Sequence, residues 1–155
     1  MPFPISYSGQ VDFMINKGTE LTPQSLHSRI KEGLKKVKAK NIRTDTNSIS
    51  FSGGIFRLVP NWNLLTAISS GVVRIESSSD KISVVYNLRF IEVFAIVTVM
   101  VFVFMGSFVW EFFPLPIAKR ILLSCFIWFW FMGINYLTVV WSFSSFIRKI
   151  GSFKK

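Results

Sequence analysis

Two hydropathy patterns divide this chain. From Val93 to Phe113 and from Ile121 to Ile147 the sequence is almost continuously apolar, and Glu111 is the one charge inside either run. Each run reaches the about 20 residues that a helix needs to cross a hydrocarbon core of roughly 30 Å. Only Pro114–Arg120 lies between them. The pattern predicts a two-helix transmembrane hairpin, with a first helix at 89–113, a short non-cytosolic loop at 114–120, a second helix at 121–147 and a basic tail at 148–155.

Residues 1–88 carry different signals and predict a small α+β domain, one helix on a mostly antiparallel sheet. Val11, Phe13 and Ile15 alternate with less apolar neighbours, the period-two mark of a half-buried strand. Leu21-Thr22-Pro23 reads as a helix start: Thr22 is the N-cap, Pro23 the first helical residue, and Leu21 is placed to staple against Leu26. That helix is expected to run to about Ala39, with Leu26, Ile30, Leu34 and Val37 inside an arc of roughly 80° that suits one-sided packing on a sheet.

Ile42–Thr44 and Ser48–Phe51 flank the polar cluster Asp45-Thr46-Asn47 and predict a short hairpin that ends at Gly53-Gly54. Ile55–Val59 reads as a further strand, Pro60–Asn63 as a loop, and Leu64–Ile68 fits either helix or strand. The clearest β pattern is Val72–Glu76, a Ser77–Lys81 turn, and then Ile82, Val84, Tyr86, Leu88 and Phe90 alternating with mostly polar residues. No linker follows it, so the domain is expected to sit against the headgroups and to move with the hairpin as one body.

Charge sets the expected orientation. The net charge is +10, and Arg74, Lys81 and Arg89 before the first apolar run and Arg148, Lys149, Lys154 and Lys155 after the second outnumber Lys119 and Arg120 between them. Basic residues concentrate on the cytosolic side of membrane proteins. Both termini are therefore expected in the cytosol, with the chain in the cell membrane as a multi-pass protein. Met1–Gln10 has no basic region leading into an apolar run, so a cleaved signal is not expected.

The chemistry-bearing residues are sparse. His27 is the one histidine and Cys125 the one cysteine, and neither has companions at metal-ligand spacing. Gly53-Gly54 is followed by no phosphate-loop Lys-Ser or Lys-Thr, and the acids of residues 1–88 are scattered without a paired-carboxylate pattern. No cofactor and no enzymatic activity are expected. Lys31, Lys35, Lys38, Arg89, Arg148 and Lys149 are candidate contacts to lipid headgroups. Nucleic acid is not expected as a partner, because no aromatic residues interleave with the lysines of the helix.

Trp62, between Asn61 and Asn63, is a candidate partner contact of the soluble domain. In the apolar runs, Trp128 and Trp130 lie deeper than an interfacial belt requires, while Trp110 and Trp141 suit the two belts. Gly106 and Gly133 offer close helix approach. Asn135 needs a hydrogen-bond partner in hydrocarbon, and folding the hairpin about Pro116 sets Thr98 at its depth. The expected function is that of a non-catalytic accessory, assembly or interaction subunit, binding a membrane protein or itself through the second apolar helix. The alternative is an effector or sensor whose hairpin oligomerises to perturb the bilayer.

Overall fold

The computed structural model describes residues 5–14, 22–53, 65, 67–104 and 116–152. Within them the elements are β1 (Ser6–Met14), α1 (Pro23–Lys36), β2 (Lys40–Thr44), β3 (Ser48–Ser52), β4 (Ser70–Ser77), β5 (Lys81–Arg89), α2 (Ile91–Phe104) and α3 (Ile117–Ser152). The strands form one five-stranded sheet in the order β1-β5-β4-β3-β2. Every neighbouring pair is antiparallel, so the fold is α+β as expected. Ile15, Leu21 and the expected strand and loop at 55–63 lie outside the described residues.

Alternation selects the inner face of the sheet. On β5, Ile82, Val84, Tyr86 and Leu88 are buried, and they meet Val73 and Ile75 of β4, Ile49 and Phe51 of β3, and Val11 of β1. Burying each large apolar side chain contributes about 1.5–3 kcal/mol. The opposite face presents Ser8, Val72, Arg74, Asn87 and Arg89.

α1 starts where its sequence dictates. Thr22 Oγ1 accepts from the Ser25 amide at 3.2 Å and Ser25 Oγ accepts from the Thr22 amide at 3.1 Å, a reciprocal cap that satisfies two otherwise orphaned donors. Its buried stripe is Leu26, Ile30 and Leu34. The helix stops at Lys36, earlier than expected, because Lys38 adopts φ 60°. The Lys38 amide donates to the Lys35 carbonyl and the Ala39 amide to the Leu34 carbonyl, both at 2.9 Å. This is the bonding of a Schellman stop, with lysine where glycine is usual.

α3 changes the expected division of the chain. Its 36 residues form a continuous rod about 54 Å long at 1.5 Å per residue. From Ile117 to Phe131 no residue of it is buried, whereas Phe143 and Ile147 are fully buried and Val139 nearly so. These three belong to the same core cluster as the sheet and α1. The 121–147 segment is thus not one uniform apolar span, since its last turns form a second helix over the sheet beside α1. Gly33 of α1 lies where a side chain would collide with Phe146 and Ile150, so the missing Cβ lets the two helices approach.

α2 packs antiparallel to the upper part of α3 through the Phe94–Trp128 ring pair, and Phe90, the residue before α2, meets Tyr136. As described it has 14 residues, fewer than the about 20 that cross a membrane. One helix among the described residues, α3, is long and apolar enough to span a bilayer.

Candidate functional site

The junction between sheet and apolar helices is built from short-range bonds. The Phe90 amide donates to the Ile5 carbonyl at 2.8 Å, and the Ser69 amide to the Arg89 carbonyl at 2.8 Å. Ser69 Oγ then accepts from the Glu92 amide at 2.9 Å, capping the start of α2 from the residue that precedes β4. Tyr136 of α3 lies 5.3 Å from Phe90 and 6.0 Å from Tyr7, ring centre to ring centre. With no spare residue between β5 and α2 beyond Phe90, the helix pair leaves the sheet on a braced base.

Lower on α3, Phe143 is held between two aromatic rings of the sheet. Tyr86 lies 5.0 Å away and Phe51 6.1 Å away, the latter nearly parallel to it. Each of these rings lies over a glycine of the neighbouring strand: Tyr86 over Gly9, and Phe51 over Gly71, its register partner. A Cβ at either glycine would occupy the ring's place. Burial pushes the Tyr86 hydroxyl above the usual tyrosine range.

Above the junction, α3 presents its apolar side chains outward. Leu122, Phe126, Phe129, Trp130 and Phe131 are all exposed, as are Met100, Phe102 and Val103 of α2. α2 covers Trp128, whose Nε1 donates to Thr98 Oγ1 at 3.0 Å. Thr98 in turn donates to the Phe94 carbonyl at 2.7 Å. The expected Thr98–Asn135 pair is therefore replaced by Thr98–Trp128, seven residues or about two helical turns away. Asn135 Nδ2 instead donates to the Phe131 carbonyl of its own helix at 2.8 Å. A Cβ at Gly133 would meet nothing within 4 Å, so no described residue packs closely there. Gly106 and Trp62 lie outside the described residues.

The candidate headgroup cations are separated by the fold. Arg89 ends β5, directly before the first turn of α2. Lys31 and Lys35 flank Gly33, which meets Phe146 and Ile150, so with Arg148 and Lys149 they belong to the far end of the domain. Lys38 follows on the stop of α1. Arg148 and Lys149 are seven and eight residues past Trp141, about 10–12 Å along the helix axis.

The open face of the sheet holds a shallow depression of about 480 Å³. Arg74 and Arg89 line it with Asn87, Ser8 and Ser70, and no carboxylate contributes to its wall. Asn87 Nδ2 donates to Ser8 Oγ at 2.8 Å, fixing the amide across the β1–β5 pair. Among the described residues neither arginine is ion-paired; the salt bridge there joins Lys81 and Asp12 at 3.0 Å, at the other end of the face. Of these five, the sequence pattern marks Arg89 alone as a headgroup contact, with Arg74 counted only toward orientation. The outward phase of the strand alternation places all five on one face.

Gly53 packs beneath the carbonyls of Leu65 and Ile68, a close backbone approach that a side chain would block. No group of His, Cys, Asp and Glu among the described residues is arranged to hold a metal ion. The chain matches no protein-family model, no curated protein and no solved structure.

Proposed function

We propose that this chain is a membrane-anchored, non-catalytic interaction subunit, with its α+β domain on the cytosolic side of the cell membrane and its exposed aromatic helix surface directed at lipid and at a membrane-protein partner. The observation that carries this reading is the continuity of α3, exposed and apolar through Phe131 and embedded in the core of the domain at Phe143 and Ile147. Between Arg120 and Trp141 lie twenty uncharged residues, about 30 Å of helix, which equals a hydrocarbon core. Cations then stand at one edge of that span and an interfacial tryptophan at the other, an arrangement suited to a bilayer. In this reading the chain crosses the bilayer twice, so that the N-terminal domain and the C-terminal end of α3 share one side.

A helix shared in this way makes the domain and its anchor one rigid lever. That suits a subunit that holds a partner in register more than one that captures ligands on a loose tether. Trp130, Phe126 and Phe129 offer aromatic surface that α2 leaves uncovered, and large rings are enriched at binding hot spots. Gentle detergent extraction of the native protein, followed by mass spectrometry of the complexes that travel with it, tests the reading. A stable membrane-protein partner lost on Trp130→Ala and Phe126→Ala substitution is expected; a lone monomer would contradict it.

A further inference from the structure

We infer that the depression on the open sheet face is a binding site for the phosphate headgroup of an anionic membrane lipid. The inference rests on the membrane reading above, because it uses the depth at which that reading sets the junction. Phe90 touches Tyr136, and Trp141 lies five residues further along α3, about 7 Å. Arg89 closes β5 two residues before the apolar helix α2, so Arg89 and its strand neighbour Ser70 stand at the base of the helix pair, inward of Trp141 by a distance that a long arginine side chain spans to reach the headgroups. Arg148 and Lys149 belong to α3, which packs on the inner face of the sheet, and follow Trp141 by seven and eight residues.

The lining supplies what a phosphodiester needs. Two guanidinium groups provide the charge, and arginine binds phosphate oxygens through paired N–H donors. Arg74 and Arg89 rise from neighbouring strands on the same face, four residues apart in register since Arg89 pairs with Ser70. Asn87, Ser8 and Ser70 lie between and beside them with amide and hydroxyl groups for the remaining oxygens. The absence of a carboxylate from the lining matters as much: Glu76, two residues past Arg74, and Asp12, engaged by Lys81, both stand toward the opposite end of the face, level with Ser83. A soluble phosphate ester shares this chemistry, but the position beside α2 favours a headgroup delivered from the bilayer surface.

The full chain, reconstituted in vesicles of equal phosphatidylcholine and phosphatidylglycerol and re-extracted in mild detergent, gives the test by mass spectrometry of the lipid it retains. Wild type is expected to retain phosphatidylglycerol in preference, by about fivefold for each arginine at a surface value near 1 kcal/mol. The double variant R74Q/R89Q, altered at two exposed positions, is expected to keep the circular dichroism of wild type and to retain the two lipids equally, while R148Q/K149Q is expected to behave as wild type. Equal preference in R74Q/R89Q and wild type overturns the site, and so does displacement of the lipid by glycerol phosphate. Alkaline washing of the same vesicles separates the two levels of the argument: protein that stays embedded without lipid preference removes the headgroup site alone. Protein released by the wash removes the membrane reading with it.

Discussion

The Phe143 ring of α3 lies 5.0 Å from the Tyr86 ring of β5, at an angle of 54°, and this pair ties the far half of an apolar helix to the middle of the sheet. Both rings are buried, at 0% and 2% exposure. Phe143→Ala would leave a cavity against Tyr86 and Phe51 and is expected to destabilise the fold by about 3–5 kcal/mol. Phe129→Ala, at an exposed position, is expected to change it by less than about 0.5 kcal/mol. Denaturant unfolding of the two variants in the same detergent, followed by tryptophan fluorescence, measures the difference. Similar losses for both would mean that Phe143 is not core.

Gly9 provides the floor on which Tyr86 rests. A Gly9→Val substitution puts side-chain atoms where the ring lies, so Tyr86 must leave its place beside Phe143. The expected loss is about 1–3 kcal/mol, the usual range for overpacking. Gly9→Val combined with Tyr86→Ala should lose less than the sum of the two single changes, which a double-mutant cycle reads directly.

The described strands and the start of α1 are legible in the sequence and the stop of α1 and the division of α3 are not, for physical reasons. β4 and β5 declare themselves because one face of the sheet is polar, so period-two alternation survives in Val73, Ile75, Ile82, Val84 and Tyr86. The stop of α1 was hidden because Lys38, with no sequence mark of a left-handed residue, takes the position that glycine usually signals. The lower half of α3 has the sequence pattern of a membrane span because Phe143 and Ile147 are as apolar as lipid-facing residues, and hydropathy does not distinguish a protein core from hydrocarbon. The Thr98–Asn135 pairing failed because folding the chain symmetrically about Pro116 ignores side-chain packing, which sets Phe94 and Thr98 against Trp128.

Lys38→Gly should stabilise the protein. A side chain in the left-handed region is strained by about 1–2 kcal/mol, while glycine adds freedom to the unfolded chain worth about 0.5–1 kcal/mol. A net gain of about 0.5–1 kcal/mol is expected, seen as a higher denaturation midpoint at unchanged slope. Lys36→Gly, inside the last helical turn, should move the midpoint the other way.

Acid should reveal the Asp12–Lys81 bridge. Hydrogen bonds from Gln10, Lys81 and Ser83 hold the Asp12 carboxyl below its usual 3.8, at about 2. A depressed carboxyl stabilises the fold above its unfolded value, and that contribution fades as pH falls from about 4 through 2. Carbon-13 NMR of the side chain should give a midpoint near 2 in wild type and a higher one in Lys81→Met and in Gln10→Ala. Tyr86 acts at the other extreme, since its raised value favours the neutral phenol in the fold. Its contribution is full below about pH 10 and declines as alkali ionises the buried ring. Tyr86→Phe should flatten the alkaline limb of the stability profile.

The proposed division of α3 between lipid and protein is tested most directly by carbene labelling of the unmodified protein in vesicles, from a precursor dissolved in the hydrocarbon, with the modified residues mapped by mass spectrometry. Leu122, Phe126, Phe129 and Trp130 are expected to take the label, and Phe143 and Ile147 to remain clear although their helix is continuous. Labelling of Phe143 and Ile147 as strong as that of Phe129 would contradict a helix that leaves the bilayer to become the core of the domain.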